Sequence, residues 1–142
     1  MAVLTLDFEY DYEFQLIGLI SDVKEYKLAW LVNRLMGINL KKAKDLEFLF
    51  TGNKVLLISN FVVEEEHYTI RLLKNKAYNS SGIAKPYLLP EVKNYDYIIQ
   101  IDGEYSKITL EDLKKAFKNY AIVQYSEIID INTLKSKENL VY

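Results

Sequence analysis

In the stretch LDFEYDYEF, acids and aromatics take turns: Asp7, Glu9, Asp11 and Glu13 stand at odd positions, Phe8, Tyr10, Tyr12 and Phe14 at even ones. Strict alternation is the period of a strand with one wet face and one buried face. After Gln15 the run LIGLI is apolar on both parities, so a strand predicted over 12–20 passes from an exposed region into a covered one. A helix is predicted over 22–36, with Ser21 or Asp22 as its cap and Gly37 as its stop. Within it LAWLV is apolar on every side, while Lys24, Lys27 and Arg34 share one narrow edge. A helix lying on a sheet needs only an apolar stripe. Either the segment 38–53 covers its second side, or Trp30 and its neighbours meet another chain.

The second half has the same grammar. YDYIIQI predicts a strand over 95–101, DGEYSK a polar connection, and TLEDLKKAFKNY a helix over 109–119. Thr109 and Asp112 have capping-box spacing. Leu110, Leu113, Ala116, Phe117 and Tyr120 form an apolar stripe, with Lys114, Lys115 and Lys118 facing away from it. A return strand follows over 121–127. Between the halves, strands over 55–63 and 67–74 make a hairpin joined at Glu64–Glu66, and LEFLF adds a short strand.

The words YDYEFQLIG (10–18) and YDYIIQIDG (95–103) nearly repeat, and each opens a strand–helix unit. Duplication of a β-α-β unit, with halves of about 10–54 and 95–130, would explain them; chance is the rival, since Tyr, Asp and Ile suit any strand that starts at a turn. The expected architecture is one α+β domain over 1–142. It is a ferredoxin-like βαβ-ββαβ two-layer sandwich, with a mainly antiparallel sheet and two helices on one face.

Composition narrows the chemistry. Half of the 142 residues are hydrophobic and 27% charged, enough apolar material for a core. Without cysteine there are no disulfides, no thiolate catalysis and no Cys-based metal sites. A net charge of −2 exerts no global pull on nucleic acid or an anionic membrane. No apolar run approaches the ~20 residues of a membrane span, and the first residues lack a signal-peptide pattern. A cytoplasmic location is expected.

Each candidate site meets a plainer explanation. His67, the single histidine, follows Glu64–Glu66, but neighbours on a strand alternate faces and cannot converge on zinc; a solvated turn is the better reading. Carboxylates two apart on the acidic ribbon lie ~6.5 Å from each other, too far to share one ion. Such charges more often guard a sheet against edge-to-edge aggregation. No glycine-rich phosphate loop occurs. The stretch LKNKAYNSSGIAKPY interleaves Lys and Tyr without the ordered aromatics of an RNA-binding sheet. Neither metal nor cofactor is expected.

The run Leu89-Pro90-Glu91, then Tyr95-Asp96-Tyr97 after three residues, resembles the signature of the bacterial IPExxxVDY family. Leu89 stands for Ile and Tyr95 for Val. YKLAWLVNRLMG in the first helix and LKSKENL at 134–140 are similar to that family as well. The resemblance implies no activity, ligand or catalytic residue, since the family is uncharacterised. It suggests acyl carrier protein as one acidic partner, from the neighbourhood of the family's genes. Pro90 makes Leu89 extended. Glu91 and Asp96 read first as acceptors of backbone N–H groups, and second as a surface anchor among aromatics.

The functional expectation is a non-enzymatic protein-interaction or adaptor domain, binding an acidic protein or a second copy of itself. Its contact residues would come from Trp30, Glu91, Asp96, Tyr97, Lys114, Lys115 and Lys118. The alternatives are a small-ligand regulatory domain, an RNA-associated factor and an enzyme with a non-obvious carboxylate site; membrane binding is not expected, and nucleic acid is disfavoured.

Overall fold

The computed structural model describes residues 14–50, 54–77 and 87–141. The acidic ribbon Asp7–Glu13 and most of the Lys–Tyr stretch lie outside them. The described chain runs β1 (Gln15–Ile20), α1 (Glu25–Met36), β2 (Lys41–Lys42), β3 (Leu46–Phe50), β4 (Lys54–Ile58), β5 (Asn60–Glu64) and β6 (Tyr68–Lys74). After a 3-10 turn at Pro90–Val92 come β7 (Tyr97–Gly103), α2 (Leu110–Phe117) and β8 (Tyr125–Ile129), then 3-10 turns at Ile131–Thr133 and Lys137–Leu140. It is an α+β fold.

Six strands form one sheet in the order β2-β5-β6-β7-β1-β8, with every neighbouring pair antiparallel. Alternation along the strands sorts their residues onto two faces. Ile17, Leu19, Ile70, Leu72, Tyr97, Ile99 and Ile101 meet both helices through Leu28, Leu31, Val32, Leu113 and Phe117. Phe14, Leu16, Leu73, Ile98 and Ile129 face the other way.

That other face is not open, as a two-layer sandwich would leave it. Leu56 and Ile58 of β4, Leu88, Leu89, Leu134 and Leu140 bury it, so the sheet is covered on both sides. The run predicted as one strand over 55–63 divides at Ser59: among the described residues β4 pairs only with β3 in a separate ribbon, while β5 joins the main sheet. Buried Ser59 and Asn60 make the switch. Ser59 C=O accepts from Lys74 N–H at 3.2 Å, and Asn60 C=O accepts from Ala43 N–H at 2.9 Å.

The helix ends differ from expectation at one place. Gly37 stops α1 in the left-handed region (φ 65°), where a side chain would be strained. The start is not capped by Ser21 or Asp22; α1 begins after Lys24 without a side-chain cap. Ser21 is buried instead, its hydroxyl donating to Ile122 C=O. Thr109 caps α2, its hydroxyl accepting from Asp112 N–H at 3.1 Å. The last strand starts at Tyr125 rather than residue 121, because 3-10-type bonds from Tyr120 and Val123 turn the chain before Gln124 N–H reaches Ile20 C=O at 2.8 Å.

From Phe14 onward, where both repeated words are described, they do not occupy equivalent places. Aligned letter for letter, Phe14 matches Ile99 and Leu16 matches Ile101. Phe14 and Leu16 face away from the helices, while Ile99 and Ile101 face them. A one-residue slip separates the two settings.

Candidate functional site

The signature residues gather where β7 begins. Asn75, fully buried at the end of β6, ties them together. Its side-chain amide donates to Val92 C=O at 3.1 Å and Tyr95 C=O at 3.0 Å, and its Oδ1 accepts from Leu89 N–H at 2.8 Å. Its main chain donates to Asp96 C=O at 2.9 Å and accepts from Leu88 N–H at 2.7 Å. Every polar atom of this buried residue is satisfied. Sequence reasoning passed over Asn75, which carries no local mark beyond standing just after an apolar strand.

Glu91 is exposed, yet its carboxylate is engaged. Oε2 accepts from Lys135 N–H at 2.8 Å and Ser136 N–H at 2.9 Å, and Oε1 accepts the Ser136 hydroxyl. Burial pushes this carboxyl up, but the Ser136 hydroxyl, its own backbone N–H and those of Ser136 and Lys135 together hold it below its ordinary value. Two of the sequence blocks, LPE and LKSKENL, are thus joined by one side chain. Asp96 Oδ2 accepts from Ser21 N–H at 2.9 Å, linking the start of β7 to the end of β1. Both acids accept backbone bonds from segments distant in sequence, and Glu91 accepts from its own N–H as well. Tyr97 is buried and its hydroxyl donates to Val23 C=O. Burial, then the charges of Glu25 and Asp96, push that phenol well up.

On the outward face the ring of Tyr95 lies against Gly18, where a Cβ would stand 2.7 Å from the ring. Tyr95 also stacks on Tyr125, with centroids 6.4 Å apart and planes at 10°. Tyr125 donates its hydroxyl to Glu127 Oε2 at 2.8 Å, and Lys114 reaches Glu127 Oε1 at 2.7 Å. The Lys114 ammonium, then the Tyr125 hydroxyl, hold the Glu127 carboxyl low; Glu127 in turn holds Lys114 high. Of the three candidate lysines, Lys114 is therefore paired and half-buried, while Lys115 and Lys118 are exposed. A groove of about 320 Å³ runs here between α2 and β8, lined by Lys114, Phe117, Lys118, Val123, Gln124, Tyr125 and Ser126.

The helix α1 presents the other candidate surface. Leu28, Ala29, Leu31 and Val32 are buried, so the apolar cylinder of LAWLV resolves into a core stripe with Trp30 outside it. Trp30 is 61% exposed and Tyr26, one turn earlier, 60%. The Arg34 guanidinium sits 5.6 Å from the Trp30 ring centre. Among its described residues the segment after α1 does not cover this face: Ile38 and Leu40 tuck into the core, and β3–β4 crosses to the opposite side of the sheet. Of the sequence-predicted contact residues, Glu91, Asp96 and Tyr97 come together; Trp30 and the lysines of α2 lie apart from them.

Elsewhere, a wider groove of about 490 Å³ is lined by Gly37, Ile38, Asn39, Glu65, Glu66, His67, Tyr68 and Lys107. Glu64–His67 form the exposed turn of the β5–β6 hairpin, closed by Glu65 N–H on Tyr68 C=O at 2.8 Å. No cluster of three potential metal ligands occurs among the described residues. No described helix is long and apolar enough to cross a membrane. No protein-family model, curated protein or solved structure matches the chain.

Proposed function

We propose that the chain is a cytoplasmic protein-interaction domain without catalytic chemistry of its own, and that the outer face of α1 is its contact surface. The carrying observation is the pair Tyr26 and Trp30, exposed one turn apart on a helix whose other large apolar residues are buried or, for Leu35, half-buried against the core. Tryptophan and tyrosine supply much contact area at small entropic cost and dominate binding hot spots. Lys24, Lys27 and Arg34 are exposed around them, which favours a partner with an acidic rim.

The signature serves as scaffold in this account, since Glu91, Asp96 and Tyr97 all direct their polar atoms to other segments of the chain. Kinship with the IPExxxVDY family is part of the same proposal; it rests on the three sequence blocks, two of which Glu91 joins. So is a ferredoxin-like core. In the strand order β6-β7-β1-β8, α1 connects β1 towards β6 and α2 connects β7 to β8, with β2–β5 as an insertion.

The test is capture from the native cell with the wild-type chain and with Trp30→Ala, followed by mass spectrometry and sedimentation. A defined protein should be retained by the wild type and lost with Trp30→Ala, at unchanged melting temperature. Equal retention by both chains would remove α1 from the account, and a small molecule retained instead would favour a ligand-binding domain.

A further inference from the structure

The two edges of the main sheet are finished differently. At one, β2 is only two residues long, and both are lysines, a common guard against unwanted pairing. At the other lies β8, five residues long. Which of its backbone groups point away from the sheet follows from β1. An antiparallel residue turns its N–H and C=O to the same side. Leu19 C=O accepts from Asp96 N–H and Ser21 N–H donates to Asp96 Oδ2, so the odd residues of β1 face β7. Leu16, Gly18 and Ile20 therefore face β8, where their partners are Ile129, Glu127 and Tyr125. That leaves the backbone groups of Ser126 and Ile128 turned away from β1, at residues that are buried and half-buried respectively, so an added strand must first move the side chains that border them.

Ile128 N–H is met at 3.2 Å by the carboxylate of Glu127, which Lys114 and Tyr125 hold in place. Ser126 has no comparable cap among the described residues. Beside it opens the groove floored by Phe117 and Val123 and rimmed by Lys114 and Lys118. Lys115 and Lys118 form no ion pair among the described residues.

We propose that this edge binds an extended acidic segment of a partner protein by strand addition to β8. The added strand bonds the outward groups of Ser126 and Ile128, an apolar side chain enters the groove, and an acidic one meets Lys118. A second acidic side chain takes Lys114 from Glu127, and Glu127 then releases Ile128 N–H. The internal carboxylate thus acts as a removable cap that an acidic strand displaces and a neutral one does not. A second copy of the chain fits less well, because β8 against β8 would oppose two sets of Lys114, Lys115 and Lys118. This surface is separate from the Trp30 face of α1, so either proposal can fail alone.

The probe is a phage library of short random peptides panned on the full chain. Selected peptides are then synthesised and titrated into labelled protein. Enriched sequences should alternate acidic with apolar residues, and amide shifts should centre on 114–118 and 123–128. Lys118→Glu should weaken binding by about tenfold or more, with more loss at low salt, while its melting temperature holds. Glu127→Gln should tighten binding several-fold by weakening the cap. N-methylation of the peptide amides that face β8 should abolish it, and Trp30→Ala should change nothing. The proposal is overturned if no peptide is enriched, if binding survives Lys118→Glu or N-methylation, if the shifts map to α1, or if the chain pairs with itself through β8.

Discussion

Asn75 shows how much rests on a single buried amide. Replacing it with Ala leaves Tyr95 C=O and Leu89 N–H without this partner, and Val92 C=O with Tyr95 N–H alone. Asn75→Ala should therefore lower unfolding free energy by about 2–4 kcal/mol in urea titration, and Asn75→Asp should not rescue it, because a carboxylate cannot donate. Gly18 is as exacting in space. Gly18→Ala drives a methyl into the Tyr95 ring and should cost about 1–3 kcal/mol; adding Tyr95→Ala should recover part of the loss, and a strictly additive double-mutant cycle would show that the contact does not matter. Glu91 makes a pH-dependent contribution. Its carboxyl is depressed in the folded chain from an ordinary 4.5, so its stabilisation is full above that value and disappears as pH falls through the lower folded one. The acid limb of the melting curve should be shallower in Glu91→Gln, with protection of the Lys135 and Ser136 amides no longer varying with acid.

At the scale of elements, α2 is only eight residues long, too short to be stable without packing and capping. Thr109→Ala should cost about 1 kcal/mol, seen first as faster hydrogen exchange in the opening turn of α2. The capping was legible because Thr109 and Asp112 stand at fixed spacing, and so was the apolar stripe behind it. Gly37 announced the end of α1 for the same local reason. Other features depend on what a segment meets. KVLLISNFVV reads as one apolar run, and its polar pair Ser59-Asn60 reveals a change of sheet only once Lys74 and Ala43 are known to bond there. The repeated words matched in letters but not in faces, because facing is set by pairing register rather than by the residues themselves. For the candidate surfaces, Trp30 stood out by composition alone. The β8 edge did not: the direction of its backbone groups follows from the parity of β1, and Glu127 carried no sequence signal.

Across the whole molecule, the tail from Asp130 onward acts as a cover. Leu134 and Leu140 are buried against the face opposite the helices, and Gln100 donates to Leu140 C=O at 2.8 Å. Ending the chain at Asp130 should expose that face, remove about 1.5–3 kcal/mol for each of the two leucines, and raise binding of a hydrophobic dye; an unchanged melting curve would mean the cover is dispensable. The sheet order has a further consequence, in time rather than in space. The inner strand β1 pairs with β7 and β8, so Leu19 must wait for Tyr97 and Ile20 for Tyr125. At a synthesis rate of roughly 5–20 residues per second, β1 leaves the ribosome on the order of ten seconds before either neighbour exists. The β3–β4 and β5–β6 hairpins and the short β2–β5 pair can close early. Such long-range closure slows folding, and during that interval the apolar run LIGLI depends on something other than its own sheet to stay unaggregated.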